Sequence, residues 1–313
     1  MSLLRYCIRR IFFALPILFG ITLVTFILFH LVGGDPAFLI AGKNASLERV
    51  ASIRSELGLD RSLLQQYISF VKQTVTFDWG RSWSSQERVM DMFWRGLGPS
   101  LSLALPAFLI SFLISLGIAL LSSYYRGQCF DRGVLIACLA LMSFSYLVYI
   151  ILFQYLFAYK MGLFPITGWD PSWSGRWQYL ILPWMISVTV SIGPGVLIYR
   201  TAILDESLQG YVRTARAKGL KDTAVYSQHI LKNALVPILT IVIMQMPLMI
   251  TGSLLLESFF GIPGVGGLLI QAIQNADFPV IKAMTVIGSI FYMLFNLLSD
   301  LVLTAVDPRI ELK

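Results

Sequence analysis

The sequence predicts an all-helical integral membrane protein with six membrane-crossing helices. Of its 313 residues, 57% are hydrophobic and only 13% are charged, and its mean hydropathy is +0.74. This hydrophobic content is higher, and this charged content lower, than is typical of soluble domains. The apolar residues also form blocks long enough to cross a hydrocarbon core of roughly 30 Å as helices that rise about 1.5 Å per residue. The predicted spans are 11–32, 99–122, 134–158, 179–199, 235–256 and 281–306.

The first span and the distribution of basic residues predict the orientation of the chain. The first apolar block follows Arg5, Arg9 and Arg10. It is too long for a signal peptide and no small-residue cleavage pattern follows it, so we expect a retained helix. Basic residues recur in the loops 123–133 and 200–234 and in the tail. By the positive-inside rule these three segments, and therefore both termini, are predicted to be cytoplasmic.

The predicted organisation includes one large external segment between the first two spans. This insert exceeds about 60 residues, beyond which the charge rule loses force. Ser46 is placed to cap a helix that Gly58 ends, and a second amphipathic helix follows. Trp79, Trp83 and Trp94 suit a membrane-interface belt. The insert is either a lid on its own spans or a docking platform for an external partner. The predicted parts are the N-terminus with the first helix (1–32), the insert (33–98), the five-helix core (99–306) with its loop 200–234, and the tail (307–313).

Composition argues against several classes of function. The net charge of +7 comes from scattered basic residues without a run of five, so a nucleic-acid surface is not predicted. Cys7, Cys129 and Cys138 have neither metal-ligand spacing nor the context of a disulfide framework. His30 and His229 lie far apart in the sequence. We therefore predict no metal site and no catalytic residues, and an integral membrane enzyme would need a cluster of reactive groups that is not seen.

The segment 200–233 is the most polar stretch between two spans. It contains six basic and three acidic residues, which gives it a net charge of +3. Leu208, Tyr211, Val212 and Ala215 recur at helical spacing, which predicts a short helix with a small-residue face. On charge alone, a basic helix held against anionic lipid explains the pattern. The central residues are Tyr211, Val212, Arg213, Thr214, Ala215, Arg216, Ala217, Lys218, Gly219 and Leu220.

A glycine-rich stretch, 257–267, is similar to a phosphate-binding loop in its glycine content but lacks the rest of that motif. Leu268 and Leu269 stand where such a loop needs a lysine and a hydroxyl residue, and the complete motif occurs nowhere in the chain. We predict a tight turn that leads into a short helix dipping into the outer membrane face. Glu257 and Asp300 are ionisable groups at or near membrane depth, and structural pairing is favoured over a pathway role for both. No chain of buried acids suggests ion coupling.

The central segment, extended by the residues 229–237, resembles the EAA loop of bacterial ABC importer permeases. Arg213, Thr214 and Ala215 occupy the positions at which the general EAA motif has Glu-Ala-Ala. Gly33 occupies the position before Gly-Asp-Pro at which such permeases often have proline. Further segments that resemble these permeases occur along nearly the whole chain. The family that the chain resembles is the dipeptide, oligopeptide and nickel permease group. The matching segments are 34–36, 57–60, 66–67, 78–82, 162–168, 257–266, 277–280, 296–300 and 307–310.

This resemblance implies the type I importer permease fold, with six helices and an external helical insert, in the bacterial inner membrane. The implied partners are a second homologous permease, two cytoplasmic ABC ATPases that bind ATP and magnesium, and a periplasmic or lipid-anchored binding protein. No cofactor is expected in this chain. Residues 211–220 would dock on an ATPase, and Gly219 and Pro237 would act as hinges for the fourth and fifth spans. The implied substrate is a di- or oligopeptide; nickel, antimicrobial peptides and a stand-alone ion-coupled carrier or channel are the alternatives.

Overall fold

The computed structural model describes residues 3–32, 36–41 and 45–306. The predicted motif residues Gly33, Gly34 and Asp35 and the predicted tail 307–313 lie outside the described residues. Two short π-helical segments, Gln154–Lys160 and Val225–Ile230, interrupt the α-helices. The α-helices are α1 Leu3–Val32, α2 Pro36–Ala41, α3 Leu47–Glu56, α4 Leu63–Thr76, α5 Val89–Tyr124, α6 Cys129–Met142, α7 Tyr146–Phe153, α8 Trp173–Ser207, α9 Gly210–Ala217, α10 Asp222–Ala224, α11 Leu231–Gln245, α12 Pro247–Thr251, α13 Leu254–Phe260, α14 Val265–Gln274 and α15 Phe278–Val306.

The long helices confirm the all-helical membrane fold class. Within the described residues, five helical stretches are long and apolar enough to cross a membrane, and two bent helix pairs would raise the number to seven. The predicted six spans fall between these numbers. The five stretches are Ile8–Leu28, Val89–Tyr124, Trp173–Ser207, Asp222–Ile250 and Phe278–Val302. We call the end of the bundle that carries the insert the insert end, and the end that carries α9 the loop end.

Two predicted spans are not continuous helices. The third ends at Met142 and resumes at Tyr146 with an 89° bend, where the Ser145 side chain accepts the N–H of Val148 and caps the new helix. The fifth stops at Gly252, whose φ of +76° suits glycine, and α13 and α14 then fold back at 85° to each other. The predicted spans 134–158 and 235–256 are therefore corrected. Hydropathy measures apolar content, and serine or glycine at a bend changes it little.

The second predicted span begins earlier than expected. α5 starts at Val89 rather than Pro99, and Pro99 and Pro106 lie inside the helix. Membrane helices tolerate such prolines because neighbouring groups satisfy the freed carbonyls. α5 also passes close to the start of α14, since a Cβ atom at Gly96 would lie 3.1 Å from the backbone nitrogen of Val265. A small residue at this position lets the two helices touch.

The insert packs firmly on the bundle. Ser46 caps α3 as predicted, by accepting the N–H of Arg49. α4 lies along α1, where the hydroxyls of Tyr67 and Thr22 are 3.2 Å apart and the rings of Tyr67 and Phe26 meet edge to face. Trp79 is only 5% exposed, so its assignment to an interface belt is wrong: its indole fills the core at the insert end instead. The insert is a fixed part of the fold.

Asp277, just before α15, holds the end of the insert. Its carboxylate accepts hydrogen bonds from the hydroxyl of Ser82, the backbone N–H of Trp83 (3.0 Å) and both the backbone N–H and hydroxyl of Ser84. Asp277 is 1% exposed. A buried carboxylate that accepts several hydrogen bonds fixes the groups that donate to it. We call this set of contacts the Asp277 clamp.

Asp277→Ala is expected to release the insert, because four donors lose their acceptor. The hydroxyl of Ser82 is buried, and an unsatisfied buried donor costs about 1–3 kcal/mol. Limited proteolysis of the purified protein should then cut within residues 36–88 roughly tenfold faster or more. Asp60→Ala is the matched control, because Asp60 is an exposed carboxylate of the same insert. Equal cleavage rates for the two variants would contradict the clamp.

Candidate functional site

The predicted short helix in the loop 200–234 is α9. Its two buried side chains, Val212 (0% exposed) and Ala215 (6%), pack in the core at the loop end with Ala119 of α5 and Ile203 of α8. Leu208 and Tyr211, which the helical spacing placed on the same face, are exposed instead. α9 therefore lies across the end of the bundle, with one side in the core.

The outward side of α9 carries the basic residues. The exposed residues from the predicted segment include Arg213, Thr214, Arg216 and Lys218. Arg216 contacts Asp222 at 3.2 Å, but both side chains are about half exposed, so this pair adds little stability. The predicted basic residues Arg213, Arg216 and Lys218 are all exposed, and we call the exposed part of this segment the α9 surface.

Gly219 forms the turn that ends α9. Its φ is +82°, a region that favours glycine, and its N–H bonds to the carbonyl of Arg216 at 2.9 Å. Leu220 follows, and its N–H points back to the carbonyl of Ala215. A Cβ atom at Gly219 would meet nothing within 4 Å. The positive φ angle, and not crowding by neighbouring atoms, therefore restricts which residue this position accepts.

Tyr211 anchors the start of α9. Its hydroxyl donates a hydrogen bond to the carboxylate of Glu206, near the end of α8. Partial burial, together with the negative charge of Glu206, raises the pKa of Tyr211 to about 12. The phenol therefore keeps its proton, and its hydrogen bond to Glu206, throughout the physiological pH range.

A buried ion pair beneath α9 joins three helices. Arg200 of α8 donates to both carboxylate oxygens of Asp131 in α6, at 2.8 Å each. Ser122 of α5 donates to the same carboxylate at 2.6 Å, and the N–H of Gly127 does so at 2.9 Å. The side chains of Asp131 and Arg200 are 4% and 15% exposed. This geometry is the paired and hydrogen-bonded arrangement that a buried charge requires.

The π-helical segment after α9 is tied to the same place. The hydroxyl of Tyr226 donates to the carbonyl of Ser123, at the end of α5, at 2.9 Å. π-Helical turns are rare and often occur at functional sites. Asp131 and Tyr226 were missed by the sequence reasoning, because each meets a partner that is far away along the chain. The only signal was a lone acid, Asp131, in a loop otherwise read for its basic residues.

Pro237 lies within α11, on an exposed side of the helix. Together with Ile241 it lines a groove of about 580 Å³ against α8, next to Thr201, Asp205 and Glu206. A proline inside a helix removes one backbone hydrogen bond and weakens the helix locally. A hinge at Pro237, like one at Gly219, stays a prediction.

Glu257 lies in the bundle core and not at an outer interface, since it is 1% exposed. Its carboxylate accepts the hydroxyl of Ser100 (2.8 Å) and the N–H groups of Ser253 (3.0 Å) and Gly267 (2.8 Å). The glycine-rich turn thus surrounds a carboxylate of the same chain. We call these contacts the Glu257 cradle, and their arrangement is that of a structural support.

Asp300 of α15 also has partners. Its carboxylate accepts hydrogen bonds from the guanidinium of Arg10 (2.5 Å) and from the hydroxyl of Tyr6 (2.9 Å), both on α1. The Asp300 side chain is 25% exposed. The contact joins the first and last helices at the loop end of the bundle.

Comparison with known proteins agrees with this architecture over the whole chain. A family model described as "Binding-protein-dependent transport system inner membrane component" matches residues 111–312, and the model of its N-terminal part matches residues 3–104. A putative peptide transport system permease protein of Brucella abortus (strain 2308) is 36% identical over 307 residues, which cover 97% of this chain and 98% of that protein. The glutathione transport system permease protein GsiC of Escherichia coli (strain K12) is 30% identical over 314 residues, which cover 99% and 100%.

Proposed function

We propose, from the premise that this chain belongs to the binding-protein-dependent transport system inner membrane component family, that it is one permease subunit of an ATP-driven peptide importer. The observation that carries the proposal is α9, which buries Val212 and Ala215 in the bundle and presents Arg213, Arg216 and Lys218 outward. A short helix fixed on one side and basic on the other suits contact with a cytoplasmic ATPase.

The packing around α9 supports a role in transmitting movement. Val212 and Ala215 touch the core formed by α5, α8 and α11. Tyr226 and the Asp131–Arg200 pair hold the same helices at the loop end. Packed protein interiors resist compression, so a displaced helix moves its neighbours. Displacement of α9 by an ATPase would therefore shift the spans and open access to alternate sides of the membrane.

The energy for transport would come from other subunits. The sequence holds no phosphate-binding motif, so ATP and magnesium would be bound by two partner ATPases. A second homologous permease and a periplasmic or lipid-anchored binding protein would complete the complex. In this arrangement the loop end and both termini face the cytoplasm, and the insert faces the binding protein. Lipid binding by the α9 surface is the competing explanation for its charge.

Peptides are the proposed substrates because the relatives are named for them. One is a putative peptide permease and another a glutathione permease, and glutathione is itself a small peptide. Nickel and antimicrobial peptides are the alternatives within the same kind of complex. A complex purified through a tag on this chain and reconstituted in liposomes should take up labelled tripeptides only when ATP and the binding protein are present. Gradient-driven uptake by this chain alone would instead identify a carrier.

Gly219→Trp is expected to lower peptide uptake and binding-protein-stimulated ATPase activity by tenfold or more. The backbone at φ +82° is unfavourable for a bulky side chain and costs of order 1–3 kcal/mol. The turn would relax and misplace the α9 surface. Reconstituted complexes with matched amounts of each subunit provide the measurement.

Gly219→Asn is the control for this experiment, since asparagine tolerates positive φ better than other non-glycine residues. It should keep most of the activity. If the tryptophan variant retained wild-type uptake and stimulated ATPase activity, the role of this turn in coupling would be disproved. Unchanged transport after loss of all basic residues from the α9 surface would favour the lipid explanation.

A further inference from the structure

A cavity of about 560 Å³ opens halfway along the bundle. Its walls are the middle of α5, the middle of α8 and the stretch where α12 gives way to α13. It lies apart from α9 and from the insert. A cavity of this size is large enough for a small peptide, since ligand sites commonly measure about 300–1,000 Å³.

Hydroxyl groups from four helical segments converge on this cavity. They share a hydroxyl group and the lack of a formal charge, and they are Ser111, Ser115, Ser187, Ser191, Ser253 and Tyr146. Tyr146, Ser187 and Ser253 come from three different segments and line the same cavity. None of the described residues that line the cavity is charged. Polar groups this deep in a membrane bundle are costly, and where they occur they commonly mark a path for substrate.

The carboxyl group of Glu257 does not line the cavity. Glu257 lies behind the wall formed by Gly252 and Ser253, and its carboxylate already accepts the N–H groups of Ser253 and Gly267 and the hydroxyl of Ser100. On the opposite wall, α5 and α8 are in contact, since a Cβ atom at Gly195 would lie 2.7 Å from the hydroxyl of Ser115. Gly195 therefore lets α5 and α8 pack closely at this wall, and the carboxyl group of Glu257, which is engaged by other donors, stays outside the cavity.

The geometry points to this cavity as the surface along which the subunit passes its substrate, and to peptides of either side-chain charge as the ligands it accepts. The inference rests on the proposed transport function. A hydroxyl can both donate and accept hydrogen bonds, so the wall can bind the N–H and C=O groups common to all peptides. Ser111 already donates to the carbonyl of Phe108 and therefore serves as an acceptor only. A wall without fixed charge neither attracts nor repels an acidic or a basic side chain. Discrimination by charge does not occur at this cavity.

Placing a charge in the wall tests the inference. Ser191 lines the cavity and is exposed, so Ser191→Asp and Ser191→Lys keep a polar residue at the position. The test compares uptake of Ala-Asp-Ala with uptake of Ala-Lys-Ala in the reconstituted wild-type and variant complexes. We expect the aspartate variant to shift the ratio about tenfold towards the basic peptide, and the lysine variant to shift it by a similar factor the other way. Ser191→Asn should leave the ratio unchanged.

Thr201→Asp and Thr201→Lys are the matched controls, because Thr201 is an exposed hydroxyl residue of the same helix that does not line the cavity. They should not alter the ratio. Wild-type uptake combined with an unchanged ratio in both Ser191 variants would overturn the inference and leave the proposed function standing. Failure of the wild-type complex to import either peptide under any condition would overturn both.

A second measurement covers variants that fail to assemble. In a chain whose native cysteines are replaced by serine, Ser191→Cys and Ser187→Cys should react with both a cationic and an anionic methanethiosulfonate reagent at rates within a few-fold of each other. Saturating Ala-Ala-Ala should slow both reactions. Lack of reaction with either reagent, or a reaction that the peptide leaves unchanged, would show that lipid or a neighbouring subunit fills the cavity, and would overturn the inference.

Discussion

Asp131→Ala is expected to be among the most damaging single substitutions in this chain. The change leaves the guanidinium of Arg200, 15% exposed, without the carboxylate that accepts two of its hydrogen bonds. Removing one partner of a buried ion pair costs about 3–5 kcal/mol, because the remaining charge stays buried without compensation. The hydroxyl of Ser122 and the N–H of Gly127 lose their acceptor as well. The Tm of the purified protein should fall by roughly 6–20 °C.

Two further variants separate the ion pair from a general effect of losing an acid. Asp205→Ala removes an exposed carboxylate from α8, and such surface changes stay within about 0.5 kcal/mol. The double variant Asp131→Leu with Arg200→Met removes both charges and should recover much of the lost stability, because apolar replacement of a complete pair is often neutral. If Asp131→Ala and Asp205→Ala lowered the Tm equally, the proposed contribution of the pair would be disproved.

Gly264→Ala is expected to disrupt the Glu257 cradle. A Cβ atom at this position would lie 2.5 Å from both the carboxyl carbon of Glu257 and the hydroxyl oxygen of Ser100. Neither group can move away without breaking buried hydrogen bonds to the turn. Overpacking combined with lost hydrogen bonds should destabilise the protein by about 2–4 kcal/mol. Thermal unfolding in detergent and the yield of assembled complex would both report the loss.

Other glycines provide graded controls for this result. A Cβ atom at Gly267 would lie 3.3 Å from its nearest neighbour, the carbonyl oxygen of Ile262, so Gly267→Ala should cost less than Gly264→Ala. Gly117 lies in α5, is exposed, and has nothing within 4 Å of the position of a Cβ atom. There an alanine should stabilise the helix by roughly 0.5–1 kcal/mol. Equal effects at all three positions would mean that close packing around Glu257 is not the cause.

Local patterns predicted the helices well because their cause is local. The helical spacing that ends in Ala215 predicted α9, and Ser46 was predicted as the cap of α3, since a cap and its N–H partner lie within one turn. The glycine-rich turn and the short helix after it were also expected, and they occur as the end of α13 and the start of α14. These features depend on residues a few positions apart.

The contacts that assemble the helices were not predictable in this way. Asp277 and Ser82 are separated by 195 positions, and Asp131 and Arg200 by 69. No single sequence shows which polar residues will meet across such distances. The bend between α6 and α7 was not predicted for another reason. Ser143 and Ser145 lie in a strongly apolar block, and hydropathy does not indicate a change in backbone direction. The helix α9 was thus predicted from the sequence, whereas the contacts that support it were not.

The Asp277 clamp allows the movement of a membrane helix to be monitored from the insert. It fastens the insert to the start of α15, while Asp300 fastens the far end of the same helix to α1. A reporter dye on the insert therefore travels with α15. Lys72 of α4 is exposed, so a fluorophore attached there could serve as one of the two dyes of a single-molecule distance measurement. It would follow each transport cycle from the water-accessible side, with no probe inside the bilayer.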